Sequence, residues 1–104
     1  MQPTAKPTKA AIYVKGRDAK KIDVEVKKLN EYLINDGCSL DGPDQVYVDG
    51  DGSLEQLAKL VKQARQREVR VVYVVHDLLG KERTGYRALT DELYNQGVSI
   101  LVCE

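Results

Sequence analysis

Apolar residues recur along this chain with two periodicities, and their alternation predicts four strands separated by three helices. Four short runs are rich in β-branched and aromatic residues, as strands are: 10–14, 46–48, 69–75 and 98–102. Between these runs, apolar residues stand three or four positions apart, as on one face of a helix: Ile22, Val26, Leu29 and Leu33; Leu57, Leu60, Val61 and Ala64; and Ala88, Leu89 and Leu93.

Local signals mark where these elements begin and end. Gly37 and Gly97 follow the first and third helices and predict their ends, because glycine readily adopts the left-handed conformation that closes a helix. Ser53, with Gln56 three residues later, predicts that the second helix starts with a capping box. Two connections have turn-forming or irregular composition, at 41–44 and at 76–84.

The order of the elements predicts the fold class. Strands that alternate with helices favour a parallel sheet with helices on both faces. Because crossovers are right-handed, a flavodoxin-like topology is the natural one, and we expect a three-layer α/β fold with an open, mainly parallel sheet. The run 69–75 is almost continuously apolar, which predicts burial on both faces. Replacing Val72 or Val74 by Asp is therefore expected to unfold the domain, since either change would bury an unpaired charge.

Length and charge narrow the class of protein. The 104 residues fit one domain, and we expect a flexible leader over 1–9 and an α/β domain over 10–104. Lys plus Arg number 16, and so do Asp plus Glu, so strong non-specific binding to nucleic acid is not expected. The chain has neither an apolar run that could span a bilayer nor an apolar signal core at its start, so we expect a cytoplasmic location.

Polar residues follow each predicted strand, at the edge where open parallel sheets carry their sites. Turn chemistry is favoured over a metal site for Asp49 and Asp51. A structural role is favoured for His76, which has no evident Ser or Cys partner. No phosphate-binding glycine motif is present, and we expect no metal and no cofactor. The other residues expected at this edge are Lys15, Gly16, Arg17, Asp18, Asp77, Lys81, Cys103 and Glu104.

Three further groups of residues are given structural roles. Cys38 and Cys103 form no CxxC pair, so two buried, reduced thiols are favoured over a disulfide or a metal site. Tyr13, Tyr47 and Tyr73 lie in predicted strands, where packing is the expected role. A solvated face accounts better than a DNA-binding stripe for the cations near the end of the second helix, which are Arg65, Arg67 and Arg70.

Several segments, taken in order, resemble the catalytic domain of the serine recombinases, the family of resolvases and invertases. The segment 12–18 resembles the Tyr-x-Arg-Val-Ser motif that ends the family's first strand. The segment 71–81 is similar to the family's third strand and its Asp-Arg-Leu-Ser/Gly-Arg motif. The segment 23–29 is similar to the helix that follows the family's first strand, in which the family has Gln at the place of Glu25. The resemblance covers nearly the whole chain and implies the resolvase fold and a relation to site-specific DNA recombination. The segments are 12–18, 23–29, 46–49, 71–81 and 95–101.

The chain departs from the family at the catalytic positions. Arg17 stands where the family has its serine nucleophile, and a guanidinium cannot attack phosphorus. Lys15 replaces one family arginine, and Leu78 and Lys81 replace two more, while Asp77 is kept. A fourth arginine has no counterpart, because the connection after the second strand is too short. Lysine supplies charge without the planar fork that binds phosphate in two places.

The resemblance and these departures imply a catalytically degenerate, resolvase-like accessory or interaction module that does not cleave DNA. No catalytic residue is assigned, and Lys15, Arg17, Asp77 and Lys81 are the expected phosphate-binding positions. The expected partners are weakly bound DNA or a protein, homodimerisation is left open, and no membrane is expected. Two alternatives stay open: an enzyme built on His76, Asp77 and Asp49, beside Glu104, and a regulatory domain of a larger assembly that works through a helix face.

Overall fold

A computed structural model describes residues 8–16, 18–40, 45–50, 54–66, 68–75 and 83–103, without the side chains at 75 and 83–86. Strands and helices alternate along this part of the chain, as the apolar pattern predicts. The elements are β1 (Thr8–Lys15), α1 (Ala19–Asn35), β2 (Cys38–Leu40), β3 (Val46–Asp49), α2 (Glu55–Gln66), β4 (Val71–Val75), α3 (Arg83–Asn95) and β5 (Ser99–Cys103).

The strands form one sheet in the order β2-β1-β4-β5, with β3 also paired to β1, and every pair is parallel. Strand β2 pairs with residues 8–10 of β1, and β3 pairs with residues 12–15 of the same strand. The two short strands therefore occupy one position in the sheet. We number the sheet positions from this edge: β2 and β3 share position 1, β1 is at 2, β4 at 3 and β5 at 4. The chain then fills the positions in the order 2-1-3-4, which is flavodoxin-like. The predicted α/β fold with an open parallel sheet is confirmed.

Two apolar cores, one on each face of the sheet, make the fold three layers thick. On one face α1 contributes Leu29 and Leu33, which pack on strands β1 and β4. The other face is covered by α2 and α3. Strand β4 serves both cores, since Val71 and Tyr73 face α1 while Val72 and Val74 face the other helices. The predicted burial of this strand on both faces is confirmed, with all four of these residues buried.

Each helix ends on a residue in the left-handed conformation. Gly37 has φ 78° and Gly97 has φ 85°, as predicted from the sequence. Glu68 takes the same role after α2 with φ 59°, although it is not a glycine. The N–H of Val69 donates to the carbonyl of Ala64 at 2.9 Å and closes this helix, so β4 begins at Val71 and not at the predicted position 69.

Other boundaries differ from the prediction for reasons of strand pairing. Strand β1 begins at Thr8, so the last two residues of the predicted leader belong to the strand. They do so because Thr8 and Lys9 pair with Cys38 and Ser39. Strand β2 has only three residues and was not predicted. Its apolar content is too low to stand out until β1 is placed beside it. The predicted turn at 41–44 lies outside the described residues.

Candidate functional site

The carboxyl ends of β1 and β4 lie side by side at the middle of the sheet, and the helices that follow these two strands, α1 and α3, pack on opposite faces. Open α/β sheets bind their ligands at such a point. Lys15 ends β1, is half-buried, and is the register partner of Asp49 at the end of β3. The N–H of Gly16 donates to the Asp49 carbonyl at 3.0 Å, which fixes the turn out of β1 against β3.

Asp49 is buried, and three described groups donate hydrogen bonds to its carboxylate. The Tyr13 hydroxyl donates to Oδ2 at 2.7 Å. The N–H of Gln56 donates to Oδ1 at 2.9 Å, and that of Leu57 to Oδ2 at 3.1 Å. Asp49 therefore caps the start of α2 from the neighbouring strand and anchors it to β1.

This cap differs from the predicted one. The sequence favours Ser53 as the capping residue, and Ser53 lies outside the described residues. The carbonyl of Leu54 accepts the N–H of Ala58 at 2.9 Å, so Leu54 stands at the cap position of the helix. The N–H of Gln56, which a capping box would pair with the Ser53 side chain, goes to Asp49 instead, because the end of β3 brings its carboxylate to the first turn of α2.

Helix α1 also begins on a carboxylate at this edge. Asp18 has the extended backbone of a capping residue, and its Oδ1 accepts the N–H of Lys20 at 2.9 Å. Helix N-termini attract anions through their free N–H groups and their dipole. At α1 and α2 the chain's own carboxylates already take this place. A phosphate at this edge would therefore depend on cationic side chains more than on backbone N–H groups.

Of the predicted phosphate-binding positions, only Lys15 is described. Arg17, Asp77 and Lys81 lie outside the described residues, as do Asp51, His76, Leu78 and Glu104, so the convergence of these side chains stays a prediction. Asp49 has a structural role as the cap of α2, and the alternative enzyme site that it would share with His76 and Asp77 stays a prediction. Among the described residues, no group of three His, Cys, Asp or Glu side chains could hold a metal ion.

No protein-family model, no curated protein and no solved structure matches this chain significantly. Membership of the serine recombinase family therefore stays a prediction, which rests on the order of the motifs and on a sheet topology that many families share. Within the described parts of the chain, no helix has the length and apolar character needed to cross a membrane.

A second polar cluster, on the α1 face of the sheet, was not predicted. The Tyr73 hydroxyl is buried, donates to Oδ2 of Asp36 at 2.7 Å and lies 3.6 Å from Sγ of Cys38. Burial, and then the hydrogen bond to Asp36, raise the pKa of Tyr73 well above its usual value. The phenol stays protonated and ties the residue after α1 to the middle of the sheet. Its strand position predicts packing, but no local pattern identifies a partner 37 positions away.

Both cysteines are free thiols, as predicted, but both are half-buried, whereas the sequence predicts burial. Strands β1 and β4 separate β2 from β5, so Cys38 and Cys103 lie at least three strand spacings apart, about 14 Å. A disulfide needs Cα atoms within about 7 Å, which excludes this pair in the folded chain. Burial raises the pKa of the Cys103 thiol, the charge of Asp36 raises it further, and Lys28 lowers it. Cys103 is therefore a weak nucleophile at neutral pH.

Gln45 is a polar residue whose environment gives it no evident partner. Its side chain is fully buried immediately before β3, and neither of its amide atoms has a hydrogen-bond partner in the described structure. Burying an amide without a partner costs roughly 1 to 3 kcal/mol by protein mutational data. No sequence signal identifies this position, because a glutamine beside a turn is ordinary.

Proposed function

We propose that this chain is a catalytically degenerate, resolvase-like domain that acts as an accessory or interaction module, binds DNA weakly and does not cut it. The observation that carries the proposal is one of sequence: Arg17 stands where the resembled family motif has its serine nucleophile, two positions after β1 ends at Lys15. The order of the motifs and the parallel topology support the relation to resolvases.

The chemistry of the edge supports the loss of cleavage. Strand cleavage by this family's route needs a hydroxyl that attacks phosphorus and cations that stabilise the charge of the transition state. At the end of β1 the chain has Lys15 and Arg17, which can attract a phosphate but cannot form a phosphoester with it. The carboxylates of Asp18 and Asp49 lie at the starts of the two helices nearby, which weakens phosphate binding there.

The inactive assignment is tested with supercoiled and linear DNA under denaturing electrophoresis. We expect neither nicking nor a covalent protein–DNA species. A covalent adduct that survives denaturation would overturn the loss of cleavage.

The binding part is tested by titrating a short DNA duplex across a salt series. We expect affinity to fall with salt along a shallow slope, because only a few phosphates can be contacted through this edge. Arg17→Glu should weaken binding. Lys62→Glu is the matched control, because Lys62 is an exposed cation on α2.

The two variants separate the possible results. Weaker binding in Arg17→Glu alone supports the edge as the DNA-binding site. Equal affinities in Arg17→Glu and wild type would refute the edge and favour the regulatory alternative, in which a helix face does the work. Loss only in Lys62→Glu would move the DNA-binding surface to α2 and likewise overturn the assignment. Circular dichroism checks that each variant is folded.

A further inference from the structure

Strand β5 is an apolar edge strand. It lies at the end of the sheet, and no described strand pairs with its outer side. Leu101 is 41% exposed and Val102 is 42% exposed, although their register partners Tyr73 and Val74 on β4 are buried. Successive residues of a strand point to opposite faces. The helix layers on both faces of the sheet therefore leave the outer part of this strand uncovered.

The opposite edge of the sheet is built differently. It is divided between β2, with three residues, and β3, with four, so the hydrogen-bonding edge is interrupted. Short and interrupted edge strands resist pairing with another chain. Strand β5 has none of these protections: its five residues are continuous and include no charge and no proline. The β5 edge of this sheet is therefore open to a further strand, whereas the β2 and β3 edge resists pairing with one.

We propose that β5 pairs antiparallel with β5 of a second copy of this chain, so that two sheets join into one. A two-fold axis at Leu101, the middle residue of the strand, aligns all five residues. Leu101 then faces its own copy, and Ile100 faces Val102 of the second chain. Each exposed apolar side chain gains an apolar neighbour across the pair, and the free backbone groups of both edges gain partners. This proposal is independent of the proposed function.

Charge favours a second copy as the occupant, and area sets how tightly it binds. The segment Ser99–Cys103 is uncharged, so it offers no charged group to attract a charged partner strand, whereas it complements itself. The chain has 16 cations and 16 anions, so two copies do not repel each other through net charge. A five-residue pairing buries less than the roughly 1,200 Å² of a standard interface, so we expect a weak dimer that dissociates on dilution.

The register is tested by disulfide trapping in a chain with Cys38 and Cys103 replaced by alanine. A cysteine at position 101 faces its own copy across the axis, at the Cα separation of about 4.5 to 5.5 Å that a disulfide can bridge. Leu101→Cys should therefore give a cross-linked dimer under mild oxidation. Val102→Cys is the matched control. It is equally exposed, but in this register it faces position 100 and should cross-link far less.

The dimer itself is tested by sedimentation of the native chain from about 1 µM to about 1 mM, a range that covers weak affinities. We expect the average mass to rise toward that of two chains, and Leu101→Lys to hold it at one. Val24→Lys is the control, since Val24 is 66% exposed on α1, and it should dimerise like the native chain.

Three results would overturn the proposal. The first is a native chain that stays monomeric at every concentration, which would leave β5 for another strand. The second is a dimer that survives Leu101→Lys, with a normal circular dichroism spectrum. The third is equal cross-linking of Leu101→Cys and Val102→Cys, which would refute the register and indicate random collision.

Discussion

Removing the carboxylate of Asp49 should destabilise the fold more than any ordinary helix-cap substitution. In Asp49→Ala the N–H groups of Gln56 and Leu57 lose the acceptor that caps α2. The Tyr13 hydroxyl, in a side chain that is fully buried, loses the acceptor that it has at 2.7 Å. One substitution therefore affects a helix start and the core of the central strand together.

The magnitude follows from these contacts. Loss of a helix cap costs about 1 kcal/mol, and loss of the carboxylate's interaction with the helix dipole costs about 0.3 to 1 kcal/mol. A buried donor deprived of its acceptor costs about 1 to 3 kcal/mol. Removing a buried charge returns part of its desolvation cost, so we expect Asp49→Ala to lower the free energy of unfolding by about 2 to 4 kcal/mol. That is a large share of the roughly 5 to 15 kcal/mol of a typical domain.

The assay is urea unfolding followed by circular dichroism, on a double-mutant cycle with Tyr13→Phe. The double variant has no hydroxyl at position 13 to satisfy. Its destabilisation should therefore be about 1 to 2 kcal/mol smaller than the sum of the two single effects. Asp18→Ala is the control, because this exposed cap of α1 accepts only one observed hydrogen bond and should cost about 1 kcal/mol or less.

Two outcomes would refute this reasoning. Additive single effects would mean that the Tyr13 hydroxyl does not depend on Asp49. Equal losses for Asp18→Ala and Asp49→Ala would mean that the buried position adds nothing to an ordinary cap.

Four further substitutions test other features of the fold by the same unfolding assay. The folded state keeps Tyr73 protonated, while the unfolded chain releases that proton above about pH 10. Stability should therefore fall as pH rises beyond about 10, and Tyr73→Phe should reduce that fall; an unchanged pH profile would contradict the raised pKa. Glu68→Gly should raise the free energy of unfolding by up to about 1 kcal/mol, because glycine relieves the strain of a left-handed backbone. Gly97→Ala should lower it by about 1 kcal/mol or more, for the converse reason. Changes of the opposite sign in the free energy of unfolding would refute the role of backbone conformation. Gln45→Met should raise stability by about 1 kcal/mol by removing an amide without a described partner, and a loss would mean that the amide is satisfied.

Elements governed by local pattern could be predicted from the sequence. The helices and the longer strands follow from apolar spacing. Gly37 and Gly97 mark helix ends because glycine adopts positive φ with the least steric strain. The alternation of elements is enough to predict a parallel sheet, since parallel strands need long crossovers. Each of these features depends on residues that lie close together along the chain, within one element or its neighbours. A single sequence therefore shows the pattern directly.

Features that depend on distant residues could not be predicted in this way. Strand β2 exists because β1 lies beside it, and its three residues carry too little pattern alone. Asp49 is separated by 36 positions from Tyr13, so the sequence shows a turn where the structure has a cap. The expected phosphate site is a harder case. The sequence places Arg17 and Lys81 at the same edge, but whether their side chains converge depends on loop conformation, which periodicity does not encode.

The aromatic composition connects these distant contacts to the uniqueness of the fold. The chain has six tyrosines and neither phenylalanine nor tryptophan, so every large ring that enters the core also brings a hydroxyl. Among the described residues, the three buried ones each reach a polar partner that lies on a helix or next to one: Tyr13 with Asp49, Tyr47 with Gln63, and Tyr73 with Asp36. Helices that slid along the sheet would retain most of their apolar contact but leave these hydroxyls unsatisfied. The tyrosines therefore penalise alternative packings that a phenylalanine core would tolerate, and they fix where α1 ends and α2 begins relative to the edge of the sheet that carries Lys15.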